Sequence, residues 1–148
     1  IGASGGGGLG YGYGAAIGAA LAHRDTDRLI VNIQSDGDLM YTPGALWTAS
    51  HHRLPILTVM FNNRDLYSSD EHAYNVASMR DRRVDSRGIG VYMDDPPVDF
   101  AKLAEAQGVF AIGPIDDPEK LAPALQEAMR MVKEEKLPAL VDVVCQLR

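Results

Sequence analysis

The sequence predicts an α/β fold, a mostly parallel sheet flanked by helices. Three apolar runs, at residues 29–34, 56–61 and 139–144, have the length and composition of short buried strands. Helix-compatible segments separate these runs along the chain. Strands joined through helices lie parallel, because the crossover carries the chain back to the end of the sheet where the first strand began. We expect residues 1–148 to form one domain.

The first half of the chain predicts two helices and two strands. Residues 11–23 (YGYGAAIGAALAH) are small and helix-compatible, with glycines that allow close packing. The strand LIVNIQ (29–34) follows them. Thr42 before Pro43 has the pattern of an N-cap and a first-turn proline, so a helix over GALWTASHH is predicted to start there. The strand ILTVMF (56–61) completes this half.

The second half predicts a helix over about residues 98–107, a strand near 109–112, a long helix over about 118–134 and a final strand at 139–144. Asp117 is suited to cap the long helix. Three apolar residues recur on one face of that helix and predict its buried side. They are Leu121, Leu125 and Met129.

Residues 64–97 depart from this alternation. They are polar, span about thirty positions and end in two prolines. Segments of that length without regular structure are usually functional or disordered. We therefore predict a mobile loop over about 65–97, which closes as a lid over a bound ligand. His72, within DEHAY (70–74), is the titratable residue that such a lid would bring to the site.

Composition argues against several classes of protein. The net charge of −6 argues against a nucleic-acid-binding surface, and acids interrupt the basic stretch at 80–87, which predicts a solvated loop. No apolar run reaches the roughly 20 residues of a membrane helix, and no signal-peptide pattern is present. The single Cys145 predicts a core residue in a reducing compartment, so we expect a cytoplasmic location. The chain starts at Ile1 without a methionine, as expected for a piece of a longer polypeptide.

The histidines near helix ends and the tryptophan predict structural roles. His23 closes the first predicted helix, and His51 and His52 lie at the end of the next one. Packing or exposure is expected for all three, rather than catalysis. Trp47 lies beside apolar residues and is expected in the core.

Carboxylates and amides follow two of the predicted strands. Asp36, Gly37 and Asp38 come after the first strand, and Asn62 and Asn63 come after the second. The carboxyl ends of parallel strands share one edge of the sheet, where ligands bind in such folds. Carboxylate and amide oxygens suit Mg²⁺, which commonly completes its shell with phosphate oxygens of a ligand. The spacing therefore favours a site for a cation and a phosphate over two unrelated turns.

The glycine tract at residues 2–14 contains a G-x-G-x-x-G pattern at Gly5, Gly7 and Gly10. A dinucleotide site needs a strand directly before this pattern, and the chain has almost no residues there. Bare backbone can still approach a flat or charged ligand closely. The tract therefore predicts ligand contact, and a Rossmann-type dinucleotide-binding domain is kept as an alternative.

The motif SDGD followed by NN resembles the signature of thiamine-diphosphate-dependent enzymes, usually written G-D-G and then N-N. The similarity continues in GGLGYGYGAAIGAALA, GALWTASHHRLPIL and VDFAKLAEAQGV, so it covers nearly the whole chain except the long polar segment. The chain is most similar to the diphosphate-binding domain of the acetolactate synthase and benzoylformate decarboxylase group. The resemblance implies the thiamine-diphosphate-binding fold, with thiamine diphosphate and Mg²⁺ as cofactors.

The resemblance also implies roles for residues around the metal. The side-chain oxygens of Asp36 and Asn63 would ligate Mg²⁺, with the backbone carbonyl of Asp65 as a third protein ligand. The backbone amides of Gly37 and Asp38 would contact the diphosphate.

The glycine-rich tract would contact the rings of the cofactor. Leu9 matches the bulky residue that holds the two rings in a V, which brings the pyrimidine amino group near the reactive thiazolium carbon. Gly7 matches the residue whose carbonyl accepts from that amino group, and Gly10 belongs to the same cofactor-binding rim.

Two residues depart from the pattern of the family. Ser35 stands where the signature has glycine, and Asp38 stands where serine or alanine is usual. A carboxylate that faces a diphosphate would repel it. Alternatively, the Asp38 side chain contacts a basic partner or caps backbone N–H groups, and we favour the capping role.

The function implied by the resemblance is the cofactor-binding domain of a 2-oxo acid decarboxylase or carboligase. In such enzymes a glutamate of a companion pyrimidine-binding domain protonates the pyrimidine ring, and no residue here matches it. The chain alone is therefore expected to be inactive and to work with that domain in a homodimer or homotetramer. A non-catalytic regulatory domain that holds the cofactor or a nucleotide is the other alternative.

Overall fold

Four parallel strands form one sheet in the computed structural model, which describes residues 8–146. The strands are β1 (Ile30–Ser35), β2 (Ile56–Asn62), β3 (Phe110–Ile115) and β4 (Ala139–Val144). Their order across the sheet is β1-β2-β4-β3, so β4 lies between β2 and β3. Each neighbouring pair is parallel, which confirms the predicted fold class.

Six α-helices connect or flank these strands within the described residues. They are α1 (Tyr11–Ala22), α2 (Asp36–Tyr41), α3 (Ala45–His51), α4 (Tyr67–Met79), α5 (Phe100–Glu105) and α6 (Pro118–Arg130), and a π-helical turn (Met131–Glu135) continues α6. Two of these helices begin with an aspartate N-cap, a residue type that favours this position. Asp117 accepts from the N–H of Glu119, as predicted, and Asp99 accepts from the N–H of Lys102. No helix in the described part of the chain is long and apolar enough to cross a membrane.

Apolar side chains fill the space on both faces of the sheet. On one face, Tyr13 of α1, Leu46 of α3 and Phe100 of α5 pack with Ile56 and Met60 of β2. Burying one side chain of this size fully contributes about 1.5–3 kcal/mol. On the other face, α6 packs through the three of its residues that the sequence predicted: Leu121, Leu125 and Met129. Packing on both faces holds the strands rigidly, so their carboxyl ends are fixed relative to one another.

The helix predicted over GALWTASHH is present as α3, but its N-cap is Gly44, so the assignment of Thr42 as N-cap is wrong. The chain turns into α2 directly after β1, and Thr42 is the C-cap of that helix, with its N–H bonded to the carbonyl of Leu39. Helix α3 begins only at Ala45, after Gly44. The Thr42 hydroxyl donates instead to the carbonyl of Gly10, at 3.0 Å. The local pattern predicted that the Thr42 hydroxyl caps α3, but in the structure it bonds a residue that is distant in sequence.

The polar segment 64–97, predicted as a loop, contains the 13-residue helix α4. The periodicity of apolar residues missed it because α4 buries no apolar side chain; its one buried residue is Asp70. Arg87 holds the helix from outside, since its guanidinium lies 3.2 Å from a carboxylate oxygen of Asp70 and 5.0 Å from the ring centre of Tyr74. The rest of the basic stretch at 80–87 is largely exposed, as predicted.

Two expectations about the core are wrong. Trp47 is 56% exposed, and its ring stacks on His51 with a centre-to-centre distance of 4.7 Å. It lies on the outer side of α3 because Leu46 and Ala49 take the buried side. Cys145 is half-buried just beyond β4, where its N–H donates to the carbonyl of Asn62.

Candidate functional site

A cleft of about 340 Å³ lies at the carboxyl ends of β1 and β2. Six of the predicted site residues line it: Leu9, Asp36, Gly37, Asp38, Asn63 and Asp65. Gly7 lies outside the described residues, and Gly10 lies at the start of α1 next to Leu9. A larger groove of about 630 Å³ runs between α1 and β1, but no carboxylate lines it. The sheet edge therefore brings the predicted residues together, as parallel strands require.

Asp36 is the first residue of α2 and is 1% exposed. Its two carboxylate oxygens accept from the N–H groups of Gly37 at 2.8 Å and Arg64 at 2.6 Å. Burial raises the pKa of Asp36, and these two backbone hydrogen bonds oppose the shift. Arg64 is the second residue after β2, so the Asp36 carboxylate links the ends of both strands.

The side-chain amide of Asn63 lies against the same carboxylate. With its nitrogen turned to the site, the amide donates to the two Asp36 oxygens, at 3.2 and 3.3 Å, and to the carbonyl of Asp65 at 2.9 Å. With its oxygen turned to the site, the amide oxygen lies within 2.9–3.3 Å of oxygens from Asp36 and Asp65. A hard cation stabilises oxygens gathered in this way. Neutral amide, carboxylate and carbonyl oxygens are the ligand types that Mg²⁺ prefers, so these residues fit the ion.

A second carboxylate makes this edge more negative. The Asp65 side chain is 4% exposed, and one of its oxygens has no hydrogen-bond partner among the described residues. Burial raises the pKa of Asp65, and the nearby carboxylates of Asp70, Asp36 and Asp94 raise it further. In residues 8–146 no three His, Cys, Asp or Glu side chains are grouped to hold a metal by themselves. A cation here would therefore depend on Asn63 and on the carbonyl of Asp65.

The side chain of Leu66 packs directly on Gly37, so a larger residue at position 37 would force Leu66 to move. A Cβ on Gly37 would lie 2.1 Å from the Cδ2 atom of Leu66, far inside van der Waals contact. Leu66 itself follows the Asp65 segment and lines the cleft. The glycine of the motif therefore lets the chain after β2 fold over the start of α2.

The Asp38 side chain caps backbone, which is the alternative that we favoured from the sequence. Its carboxylate accepts from the N–H groups of Gly10 at 2.6 Å and Gly12 at 3.2 Å. The amide of Gln34 donates to it as well. This carboxylate is therefore engaged at the first turn of α1.

The histidines take the places expected from the sequence. His23 and His52 are the C-caps of α1 and α3, and His51 is the last residue of α3. His72 is exposed on α4 and does not line the cleft.

Sequence reasoning missed several residues near the site. Ser68, Ser69 and Gln146 line the cleft beside Leu66. Asp142 is fully buried in β4, where it accepts from the Asn62 amide at 3.0 Å and from the N–H of Phe100 at 3.3 Å. Burial raises the pKa of Asp142. Its signal was a lone acid inside the apolar run ALVDVV, since an acid is rarely buried there without a specific partner.

A parallel sheet whose strand ends present acidic and amide oxygens beside a glycine-rich turn defines a cofactor-binding α/β domain. The chain belongs to the thiamine pyrophosphate enzymes and is their C-terminal TPP binding domain, since the model of that family matches residues 1–143.

Relatives and solved structures agree with this family. The acetolactate synthase large subunit of Haemophilus influenzae is 34% identical over 128 residues, which are 86% of this chain and 20% of the relative. The benzoylformate decarboxylase of Pseudomonas aeruginosa is 31% identical over 140 residues, 95% of this chain and 24% of the relative. The thiamine diphosphate-dependent 4-hydroxybenzoylformate decarboxylase of Rhodococcus jostii RHA1 superposes with a TM-score of 0.71 at 26% identity, over 96% of this chain and 24% of that one. The chain thus spans a quarter or less of the relatives that it matches.

Proposed function

We propose that this domain holds thiamine diphosphate through Mg²⁺ in an enzyme that decarboxylates or ligates 2-oxo acids. The observation that supports the proposal is the contact of the Asn63 amide with the Asp36 carboxylate and the Asp65 carbonyl, at 2.9–3.3 Å, at the carboxyl edge of the sheet. Bound thiamine diphosphate supplies an electron sink for the carbanion that forms when a 2-oxo acid loses carbon dioxide. Neither a non-catalytic regulatory domain nor a Rossmann-type domain has a specific observation in its favour.

The protein's part in this function is to bind and orient. Asp36 and Asn63 would offer side-chain oxygens to Mg²⁺ and Asp65 its carbonyl, and phosphate oxygens of the cofactor would supply further ligands. The amides of Gly37 and Asp38 would contact the diphosphate. Leu9 lines the cleft with a side chain that is 49% exposed, as a residue kept for contact with a ring would be.

Calorimetric titration of the natural-length protein tests the proposal. We expect thiamine diphosphate to bind with Mg²⁺ present and to lose most of its affinity when EDTA removes the ion, because the diphosphate then faces the carboxylates without a cation between them. Binding that is equally tight in EDTA would contradict the metal site. A protein that binds no thiamine diphosphate under either condition would contradict the proposal as a whole.

The substrate, the assembly and the location belong to the same proposal. We propose a small 2-oxo acid as substrate, because relatives named for 2-oxo acid chemistry match most of this chain, among them benzoylformate decarboxylase and glyoxylate carboligase. A pyrimidine-binding domain would complete the site within a cytoplasmic homodimer or homotetramer. Light scattering of the natural-length protein checks the assembly, and a monomer that turns over substrate would contradict it.

We also propose that residues 65–97 act as a lid over the cofactor. The segment directly follows Asn63, and the residues at its start line the cleft. The helix α4 within it packs few apolar side chains, so its opening would cost little free energy. We expect hydrogen exchange in this segment to slow when thiamine diphosphate and Mg²⁺ are added, while β2 and β4 are unchanged. Equal exchange with and without the cofactor would count against a lid.

A further inference from the structure

The carboxylate of Asp38 bonds two residues that precede it by 28 and 26 positions, Gly10 and Gly12. One of its oxygens accepts from the N–H of Gly10 at 2.6 Å, and the other accepts from the N–H of Gly12 at 3.2 Å. Asp38 lies in the first turn of α2, whereas the two glycines lie at the start of α1. One side chain therefore ties the start of one helix to the start of the other.

Helix α1 depends on this carboxylate because it lacks a cap of its own. Its N-cap residue is Gly10, which has no side chain to bond the free N–H groups of the first turn. A carboxylate is suited to this place, since the first turn of a helix carries partial positive charge. The resemblance led us to expect serine or alanine at this position. Alanine has no acceptor, and serine offers a single oxygen on a shorter side chain, whereas Asp38 gives each N–H group its own oxygen.

The carboxylate is itself held by buried neighbours. The amide of Gln34, which is 1% exposed in β1, donates to the same Asp38 oxygen that Gly12 uses. The oxygen of the Gln34 amide accepts from Asn32 at 3.0 Å. A chain of polar side chains therefore runs along the buried face of β1 and fixes the direction of Asp38.

Gly10 is held on its other side as well. Its carbonyl accepts from the hydroxyl of Thr42 at 3.0 Å, and Thr42 is the residue that ends α2. The φ angle of Gly10 is +84°, a conformation that favours glycine, and a Cβ there would lie 2.9 Å from the Cγ2 atom of Thr42. Both ends of α2 therefore contact the backbone of Gly10, next to Leu9.

We infer that Asp38 is a positioning residue that fixes the turn carrying Leu9 to the helix that begins at Asp36. Leu9 is half exposed, so its own packing does not hold it in place. The hydrogen bonds of Asp38 and Thr42 to the backbone of Gly10 form what we call the clamp. The clamp would keep Leu9 at a set distance from the metal and diphosphate end of the cleft. This inference rests on the proposed function, because it assigns Leu9 to the rings of thiamine diphosphate.

A comparison of two ligands distinguishes positioning of Leu9 by Asp38 from a direct effect of Asp38 on the diphosphate. In the natural-length protein with Mg²⁺, calorimetry would compare thiamine diphosphate with inorganic pyrophosphate for the natural sequence and for Asp38→Ser. Removing a helix cap of this kind changes an equilibrium by about tenfold. We expect Asp38→Ser to weaken thiamine diphosphate by about tenfold and to change pyrophosphate by less than about twofold, because only the ring contacts depend on Leu9. Asp38→Asn keeps one acceptor, so its loss should be smaller.

Matched variants separate positioning from general loss of stability. Asp117→Ala removes the side-chain cap of α6, away from the cleft, and should leave both affinities unchanged. Thr42→Val removes the second contact to Gly10 and should weaken thiamine diphosphate alone, whereas Thr48→Val, whose hydroxyl bonds within α3, should not.

Each other outcome contradicts the clamp. If Asp38→Ser lowered the affinity for both ligands equally, the effect would lie at the diphosphate. If it raised both affinities, Asp38 would repel the diphosphate. If neither affinity changed, Asp38 would have no role in binding. If the natural sequence bound neither pyrophosphate nor thiamine diphosphate, the proposed function would fail and the clamp with it.

Discussion

Replacing Asp36 with Ala is expected to lower the affinity for thiamine diphosphate in the presence of Mg²⁺ by at least about a hundredfold, or about 3 kcal/mol. The change removes a charged ligand from a site whose other proposed ligands, Asn63 and the carbonyl of Asp65, are neutral oxygens. Less Mg²⁺ would then be bound to offset the repulsion between the diphosphate and the nearby carboxylate of Asp65. Calorimetric titration of the natural-length protein measures the effect.

The same change also affects folding, so the experiment needs controls. Asp36→Ala leaves the N–H groups of Gly37 and Arg64 without their acceptor, and an unsatisfied buried group costs about 1–3 kcal/mol. Asp36→Asn keeps an acceptor and removes the charge, so it should be more stable than Asp36→Ala and bind nearly as poorly. Asp25→Ala, at an exposed position before β1, should change neither property. Unchanged affinity in a folded Asp36→Ala protein would refute the metal site.

Residues 1–148 alone are expected to show no decarboxylation of any 2-oxo acid. Thiamine-diphosphate-dependent enzymes of the resembling group need a glutamate beside the pyrimidine ring, and no glutamate of the described residues lines the cleft. Glu71 is exposed on α4, and Glu105 lies at the end of α5. The others lie on α6 or in the π-helical turn after it: Glu119, Glu127, Glu134 and Glu135. The open cleft would also admit water, which weakens electrostatic control of charge at the reacting atoms.

This expectation is checked by following carbon dioxide release from pyruvate and benzoylformate. Circular dichroism and cooperative thermal unfolding would first show that the isolated residues fold, and the natural-length protein would serve as the active reference. Adding a separately produced pyrimidine-binding domain should restore turnover if the two parts associate. Turnover by residues 1–148 on their own would overturn the expectation.

The sequence by itself determined the sheet and which polar residues lie at its carboxyl edge. Apolar runs of four to eight residues can be recognised locally, and the order of strands and helices then forces parallel pairing. Once the strands are parallel, Asp36 and Asn63 must share an edge, because each follows the end of its strand. The cap at Asp117 and the apolar face of α6 were also predictable, since they depend on residues within one or two turns.

Only the tertiary structure decided which partners the polar side chains take. Thr42 looked like an N-cap, yet its hydroxyl bonds Gly10. For Asp38 the sequence favoured a capping role without naming its partners, which are the N–H groups of Gly10 and Gly12. Helix α4 has no buried apolar side chain, and its buried residue, Asp70, pairs with Arg87 from farther along the segment. Asp142 found Asn62 on the next strand. A hydrogen bond or ion pair is short-ranged and directional, so its partner depends on where distant residues come to lie, and local sequence pattern carries no record of that.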